Sequence, residues 1–304
     1  MAVTHQRFTY TDKYGVVIHA QKWFPADFSK NLTGPIAADP AAAVNSIVGA
    51  VQLVHGVGEY SDRYGRFARE LARAGFVVYA EDHRGHGRTG FAQHGKNPRK
   101  IGKLGRGGLR ATEEAITQLT AIIKKENPDL QVAVFAHSWG SLMAQRIIQC
   151  QPRLWRAVVL SGSAYRTARH MRAADFNKSF GARDGMEWLS RDAANGERFM
   201  SDPYCSSVNI PKQFGVLDAL RLFGKPKAGL AAEVPILIVS GSADRLNRKF
   251  GLQKLASDFR RAGVRDVSLR VYEGARHELL HETNRDEFVS DVMTWLTDQL
   301  TESS

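Results

Sequence analysis

The chain is predicted to be an α/β protein with a mostly parallel sheet covered by helices on both faces. Three observations carry this. Short apolar runs of strand length alternate with amphipathic segments of helix length. The runs are nearly continuous in hydrophobicity, as in strands buried on both faces. Several stop at polar or glycine-rich turns: "HGVG" at 55–58, "DHRGHG" at 82–87 and "GSAD" at 241–244.

Taken in order, "RFTYTDKYGVVIHAQKWFP" (7–25) reads as two strands around a Lys13-Tyr14-Gly15 turn. Residues 26–46 are rich in Ala, Pro and small polar residues and read as a surface loop. "GAVQLVHG" (49–56) is a buried strand. "RYGRFARELARAG" (63–75) is a helix with Phe67, Leu71 and Ala74 on one face and Gly75 as its stop. "FVVYAEDHRGHG" (76–87) is a strand running into a loop, and 107–128 is a helix built on Leu109, Ile116, Leu119 and Ile123. "LQVAVFAHS" (130–138) is a strand and "WGSLMAQRIIQC" (139–150) a helix. Strands at 155–164, 234–244 and 267–278 follow, with helices at 256–263 and 287–300. Residues 165–232 break the rhythm. They are too apolar for a linker, show no clear strand, and read as a mostly helical insertion over the sheet, dividing a core of 1–164 and 233–304.

Bulk properties narrow the class. Hydrophobic residues make up 43% of 304, enough for a sizeable core. Mean hydropathy is −0.31, and no apolar run of about 18 residues suggests a membrane span. The start, "MAVTHQRFTYTDKYG", has no basic-then-apolar leader pattern, so a cytoplasmic location is expected. The two cysteines, Cys150 and Cys205, are far apart and read as free thiols. Net charge is +11, which favours anionic partners. The arginines are scattered, however, and no nucleic-acid-binding motif accompanies them, so nucleic acid is not expected as a partner.

In an open parallel sheet, reactive groups lie beyond the carboxyl ends of the strands. Ser138, Asp82, Asp244 and His277 all follow strands there. "AHSWG" (136–140) resembles the G-x-S-x-G nucleophile elbow, with alanine in the first glycine position and Gly140 in the second. A serine nucleophile needs a histidine to take its proton and a carboxylate to orient that histidine. Ser138, Asp244 and His277 occur in the Ser…Asp…His order of α/β-hydrolases. An alanine adds one methyl to glycine, so the elbow is expected to survive. The oxyanion hole is expected from the N–H groups of Val57 and Trp139, with His55 and Gly56 beside the substrate. His281 is the second histidine choice, placed as a supporting group. Asp82 reads as a loop-bonding carboxylate, and His86 and His137 as packed histidines.

The segments "HGVGEYSDRYGRFARELARAGFVVYAEDHRGHGRTG", "AHSWGS", "SDPYC", "GSADRL" and "VYEGARHELLHETNRDEF" resemble the monoacylglycerol lipase and lysophospholipase-like branch of the α/β-hydrolases, also called serine aminopeptidase S33-like. The resemblance covers about 50–300 and departs at Ala136, Trp139 and Ser141, where the usual pattern is G-H-S-M-G-G. Trp139, bulkier than methionine, is expected to narrow the acyl side of the pocket. The resemblance implies an α/β-hydrolase fold: an eight-stranded, mostly parallel sheet flanked by helices, with a helical cap between the sixth and seventh strands. It also implies hydrolysis of glycerol monoesters or lysophospholipids with no metal and no cofactor. Phe176 and Phe180 of the cap are expected to meet the substrate. Arg166, Arg169, Arg172, Lys178 and Arg183, with Asp175 and Asp184 as the intervening acids, are expected to rim the cap's apolar residues and favour peripheral contact with an anionic lipid surface. Oligomeric state stays open. A small-ester carboxylesterase, an enzyme acting on an N-terminal peptide bond, a perhydrolase and a hydrolase-fold ligand receptor are the alternatives.

Overall fold

The computed structural model describes residues 1–26, 47–95, 97, 99–172, 176–180, 185–206 and 210–301. The surface loop expected at 26–46 lies outside them, apart from Ala26. Eight strands form one sheet: β1 (Val3–Thr11), β2 (Val17–Pro25), β3 (Gly49–Val54), β4 (Phe76–Glu81), β5 (Val132–His137), β6 (Ala157–Ser161), β7 (Ile236–Gly241) and β8 (Val267–Tyr272). Their order is β1-β2-β4-β3-β5-β6-β7-β8. The β1–β2 hairpin is antiparallel, and β2 runs antiparallel to β4. All pairings from β4 through β3, β5, β6 and β7 to β8 are parallel. Asp12 makes the hairpin turn, its Oδ1 accepting the N–H groups of Tyr14 and Val16 at 2.8 and 2.9 Å.

Helices α1 (Gly65–Arg73) and α9 (Arg285–Thr301) cover one face. Helices α3 (Gly108–Glu126), α4 (Trp139–Cys150) and α8 (Gly251–Arg261) cover the other. The period of two in β5 decides which side chain goes where. Val132, Val134 and Ala136 join the core with α3 and α4, whereas Ala133 and Phe135 join the core with α1 and α9. A further helix, α2 (Gly87–His94), follows the "DHRGHG" loop, which sequence periodicity had not marked as helical.

Among the described residues between β6 and β7 lie three short helices, α5 (Ala193–Ser201), α6 (Ile210–Phe214) and α7 (Val216–Arg221). Pro203 follows α5 and Gly215 separates α6 from α7, and the three helices have nine, five and six residues. Trp188, Leu189 and Phe199 form a separate small cluster within the insertion. Asp218 of α7 ties the insertion to the core, its Oδ2 accepting the Leu109 N–H at 2.9 Å at the start of α3.

Candidate active site

Ser138 sits between the end of β5 and the first residue of α4, with φ 51° and ψ −123°. A non-glycine residue there carries strain of about 1–3 kcal/mol, so its surroundings must hold it. They do so through the backbone. Its N–H donates to the Ser161 carbonyl at 2.9 Å, and its own carbonyl accepts from Leu142 N–H at 3.1 Å and Ser141 Oγ at 2.6 Å. Gly140 is obligatory: a β-carbon there would lie 2.5 Å from the carbonyl oxygens of both Val54 and His55. Ala136 is different. It lies inside β5, paired with Val54 and Leu160, and its methyl is buried in the core. The turn at Ser138 forms without a glycine in that position.

The loops after β7 and β8 bring two more groups to Ser138. His277 Nε2 lies 2.8 Å from Ser138 Oγ, and His277 Nδ1 lies 3.0 Å from Asp244 Oδ2. Asp244 Oδ1 accepts the Leu246 N–H at 2.8 Å, and its Oδ2 takes Ser240 Oγ at 3.2 Å, so the carboxylate cannot rotate freely. Burial alone would lower the His277 pKa, but the charge of Asp244 and its hydrogen bond outweigh this and raise it. Burial would likewise raise the Asp244 pKa, and His277 with the Leu246 N–H brings it below the usual carboxylate range. The Trp188 ring lies over His277 at 4.7 Å, and His137 flanks it at 4.9 Å. Burial and the neighbouring His277 push His137 down to about 3, so it adds no charge beside His277 at neutral pH.

The loop at 55–58 runs against the serine, since a β-carbon on Gly56 would lie 3.0 Å from Ser138 Cβ. Gly56 donates its N–H to Glu59 Oε1 at 2.7 Å. The next N–H, of Val57, and that of Trp139 at the head of α4 make no bond to another described residue. His55 stands behind this loop. Its Nε2 accepts the His83 N–H at 2.9 Å, which leaves the proton on Nδ1, donated to the Gly56 carbonyl at 2.6 Å. Burial, with His83 stacked at 3.8 Å, keeps the His55 pKa well below the ordinary imidazole value.

One cluster escaped the sequence reading. Arg63 is buried between Glu59, at 3.2 Å, and Glu278, at 2.5 Å. Asn195 of α5 donates to Glu278 at 2.7 Å, and the Arg63 guanidinium lies 4.9 Å above the Phe199 ring. Glu59 belongs to the loop after β3, Glu278 follows His277, and Asn195 and Phe199 belong to the insertion. Burial opposes ionisation of Glu278, but Arg63 wins and holds it at about 2. The only local signal was the four-residue spacing of Glu59 and Arg63; the other partners are far away in sequence.

The other residues named from the sequence take distinct places. Asp82 accepts the N–H groups of Ser61 and Arg88 at 3.0 and 2.8 Å. His281 lies in a 3-10 turn (Leu279–His281), where its carbonyl accepts Ser190 Oγ. Phe176 stacks on Trp188 at 4.7 Å and lines a cavity of about 310 Å³ with Leu142, Ile210, Leu222 and Leu246. Phe180 is held by Arg276, 4.3 Å from its ring, and Arg245, at 5.8 Å, and is not in that wall. Trp139 does not line the cavity either. Its indole packs on Phe214 at 4.6 Å and His86 at 5.1 Å. Arg166, expected on the rim, is buried and donates to Gln145 Oε1 and the Leu222 carbonyl. Asp175, Arg183 and Asp184 lie outside the described residues. Among the described residues no group of three or more His, Cys, Asp or Glu side chains is placed to hold a metal ion.

Residues 45–284 match the serine aminopeptidase S33 family. A monoacylglycerol lipase of Mycolicibacterium smegmatis is 30% identical over 264 residues, covering 83% of this chain and 89% of the relative. The monoglyceride lipase of Homo sapiens is 28% identical over 240 residues, 75% of each chain. Among solved structures, a thermostable carboxyl esterase from Bacillus coagulans superposes with a TM-score of 0.81 at 21% identity, over 98% of this chain and 99% of the other.

Proposed function

The chain belongs to the serine aminopeptidase S33 family of α/β-hydrolases, and from that premise we propose that it is a serine esterase acting on monoacylglycerols or closely related lipid monoesters. The observation that carries this is the pair of hydrogen bonds from Ser138 to His277 and from His277 to Asp244, at 2.8 and 3.0 Å, at a strained strand-to-helix turn. In this reading Ser138 Oγ attacks the ester carbonyl while His277 Nε2 takes its proton. Asp244 holds the Nδ1–H tautomer and stabilises the imidazolium. The N–H groups of Val57 and Trp139 bind the oxyanion. His277 then returns the proton to the departing alcohol, and a water activated by the same imidazole opens the acyl-enzyme. None of these steps uses a cofactor.

The lipid part rests on two features. The apolar cavity begins at Leu142, whose N–H bonds the Ser138 carbonyl, so an acyl chain on Ser138 has an apolar space one helical turn away. Each methylene buried there adds about 0.8 kcal/mol, which favours long chains. We read 165–232 as a cap over this space. Its α7 exposes Val216, Leu217 and Leu220 at 66%, 71% and 58%, beside Arg221, Lys225 and Lys227. That surface suits peripheral contact with anionic lipid. Among the described residues no helix is long and apolar enough to cross a membrane.

The test is a series of glycerol monoesters from short to long acyl chain. The specificity constant should rise with chain length, and a fluorophosphonate should label Ser138 alone. A flat series with steady turnover would point to a general small-ester carboxylesterase. A single burst without turnover would point to a ligand receptor.

A further inference from the structure

The wall of the 310 Å³ cavity is apolar except at one side chain, Arg172. Its backbone is pinned, the N–H donating to the Leu246 carbonyl at 2.8 Å beside the Met171–Asn247 bridge. Its guanidinium is not: the Nε is buried and has no hydrogen-bond partner. Arginine stays charged at any physiological pH and carries five donors. Leaving a buried donor unpaired is unfavourable. Among the described residues no carboxylate pairs with this one, although Arg63, Arg84, Arg88, Arg146 and Arg191 all have such partners. The cavity thus combines an apolar interior, bounded by Leu142 and Leu246, with a single half-buried cation in its wall.

We propose that this cavity binds a free fatty acid, its chain along Leu142, Phe176 and Leu246 and its carboxylate on the Arg172 guanidinium. A neutral lipid satisfies the interior but leaves the arginine unpaired. A carboxylate satisfies both, and its charge-assisted bonds to a guanidinium are about twice as strong as neutral ones. A fatty acid held this way occupies the same apolar space as the acyl chain proposed for Ser138. It therefore competes with the next substrate, so the acid released by the reaction restrains the enzyme that makes it. This kinetic consequence rests on the proposed ester hydrolysis; the binding does not.

The binding is tested on the Ser138→Ala protein by isothermal titration with decanoate, decan-1-ol and decyltrimethylammonium. Each is kept below its micelle concentration at about pH 8, where the acid is ionised. Decanoate should bind about tenfold or more tighter than the alcohol, with the cation weakest. Arg172→Gln should remove that preference while leaving the affinity for decan-1-ol unchanged, and Arg172→Lys should keep part of it. In the parent enzyme decanoate should inhibit hydrolysis of glycerol monodecanoate competitively, with a weaker inhibition constant in Arg172→Gln. Equal binding of decanoate and decan-1-ol to Ser138→Ala overturns the proposal without need of any arginine variant. So does a Gln variant that keeps the preference for the acid. Decanoate preference without hydrolysis would sink the esterase reading and leave this site standing. Hydrolysis without the preference would do the reverse.

Discussion

At Ser138 the chain holds an L-residue at φ 51°, and the residues around it divide into those that must be small and those that need not be. Gly140 must be, because Val54 and His55 carbonyls occupy the space of a β-carbon. Gly140→Ala should therefore abolish activity or prevent folding. Ala136→Gly should keep activity and lose about 0.5–1 kcal/mol of stability through backbone entropy in a strand. A large activity gain in that variant would show that the alanine distorts the turn. Ser138→Ala should lose several orders of magnitude in turnover, and Asp244→Asn about 10,000-fold with its fold intact. Near-full activity in either would remove that residue from the proposed chemistry. The pH profile follows from His277, which must be neutral to accept a proton. Its pKa is raised by Asp244 above the ordinary 6.5. The acidic limb of kcat/KM should thus have its midpoint above 6.5, with activity lost as pH falls through it. Asp244→Asn removes the raising influence and leaves burial, so the limb of its residual activity should move down. A parent midpoint at or below 6.5 would contradict the assignment.

Between elements, the Arg63 cluster joins three pieces of chain that carry the site: the loop after β3, the loop after β8 and α5 of the insertion. Removing the arginine leaves two buried carboxylates facing one another. Breaking a buried pair in this way costs about 3–5 kcal/mol. Arg63→Met should show that loss in a denaturant titration at neutral pH. The loss should shrink on acidification, because the orphaned carboxylates then bind protons in the folded state. A deficit independent of pH would assign the effect to packing against Phe199 alone. Helix α7 offers a contrasting case. Leu217 is 71% exposed and lies outside the cavity wall. Leu217→Asp should change stability by no more than about 0.5 kcal/mol yet weaken co-sedimentation with anionic vesicles. Unchanged co-sedimentation would exclude this helix from any lipid contact.

For the molecule as a whole, the proposed lipid contact would draw separately on a net charge of +11 and on the exposed apolar residues of α7. The electrostatic contribution is screened over roughly 8 Å at physiological salt, and the apolar one is not. Binding to anionic vesicles should weaken with added salt toward a residual level that Leu217→Asp removes. Salt-independent binding would leave the charge no part in it. Arg166 has no share in this surface, since it is buried against Gln145 and Leu222, with burial and Arg146 lowering its pKa to about 10.

Features that repeat along the chain were legible in the sequence. Continuous apolar runs marked β3 to β7, because a strand buried on both faces must be apolar throughout, whereas the partly exposed β1 and β2 were read from the turn at Lys13-Tyr14-Gly15 between them. The period of 3.6 marked α1, α3, α4 and α9, and "AHSWG" marked the turn at Ser138 because sterics there are local. Where strand ends converge could also be read, since parallel topology sets it. Strand order, by contrast, came only with the fold, as did the 2.8 Å distance between Ser138 and His277, the histidine the sequence already placed ahead of His281. So did the burial of Arg166, the meeting of Arg63 with Glu278 and the place of Arg172 in an apolar wall, where its Nε has no partner among the described residues. The physical reason is common to all of them. A charged side chain looks the same in sequence whether it is solvated, paired or alone. Which it becomes depends on partners hundreds of residues away, brought within a few ångströms only when the sheet has closed and the insertion has packed against it.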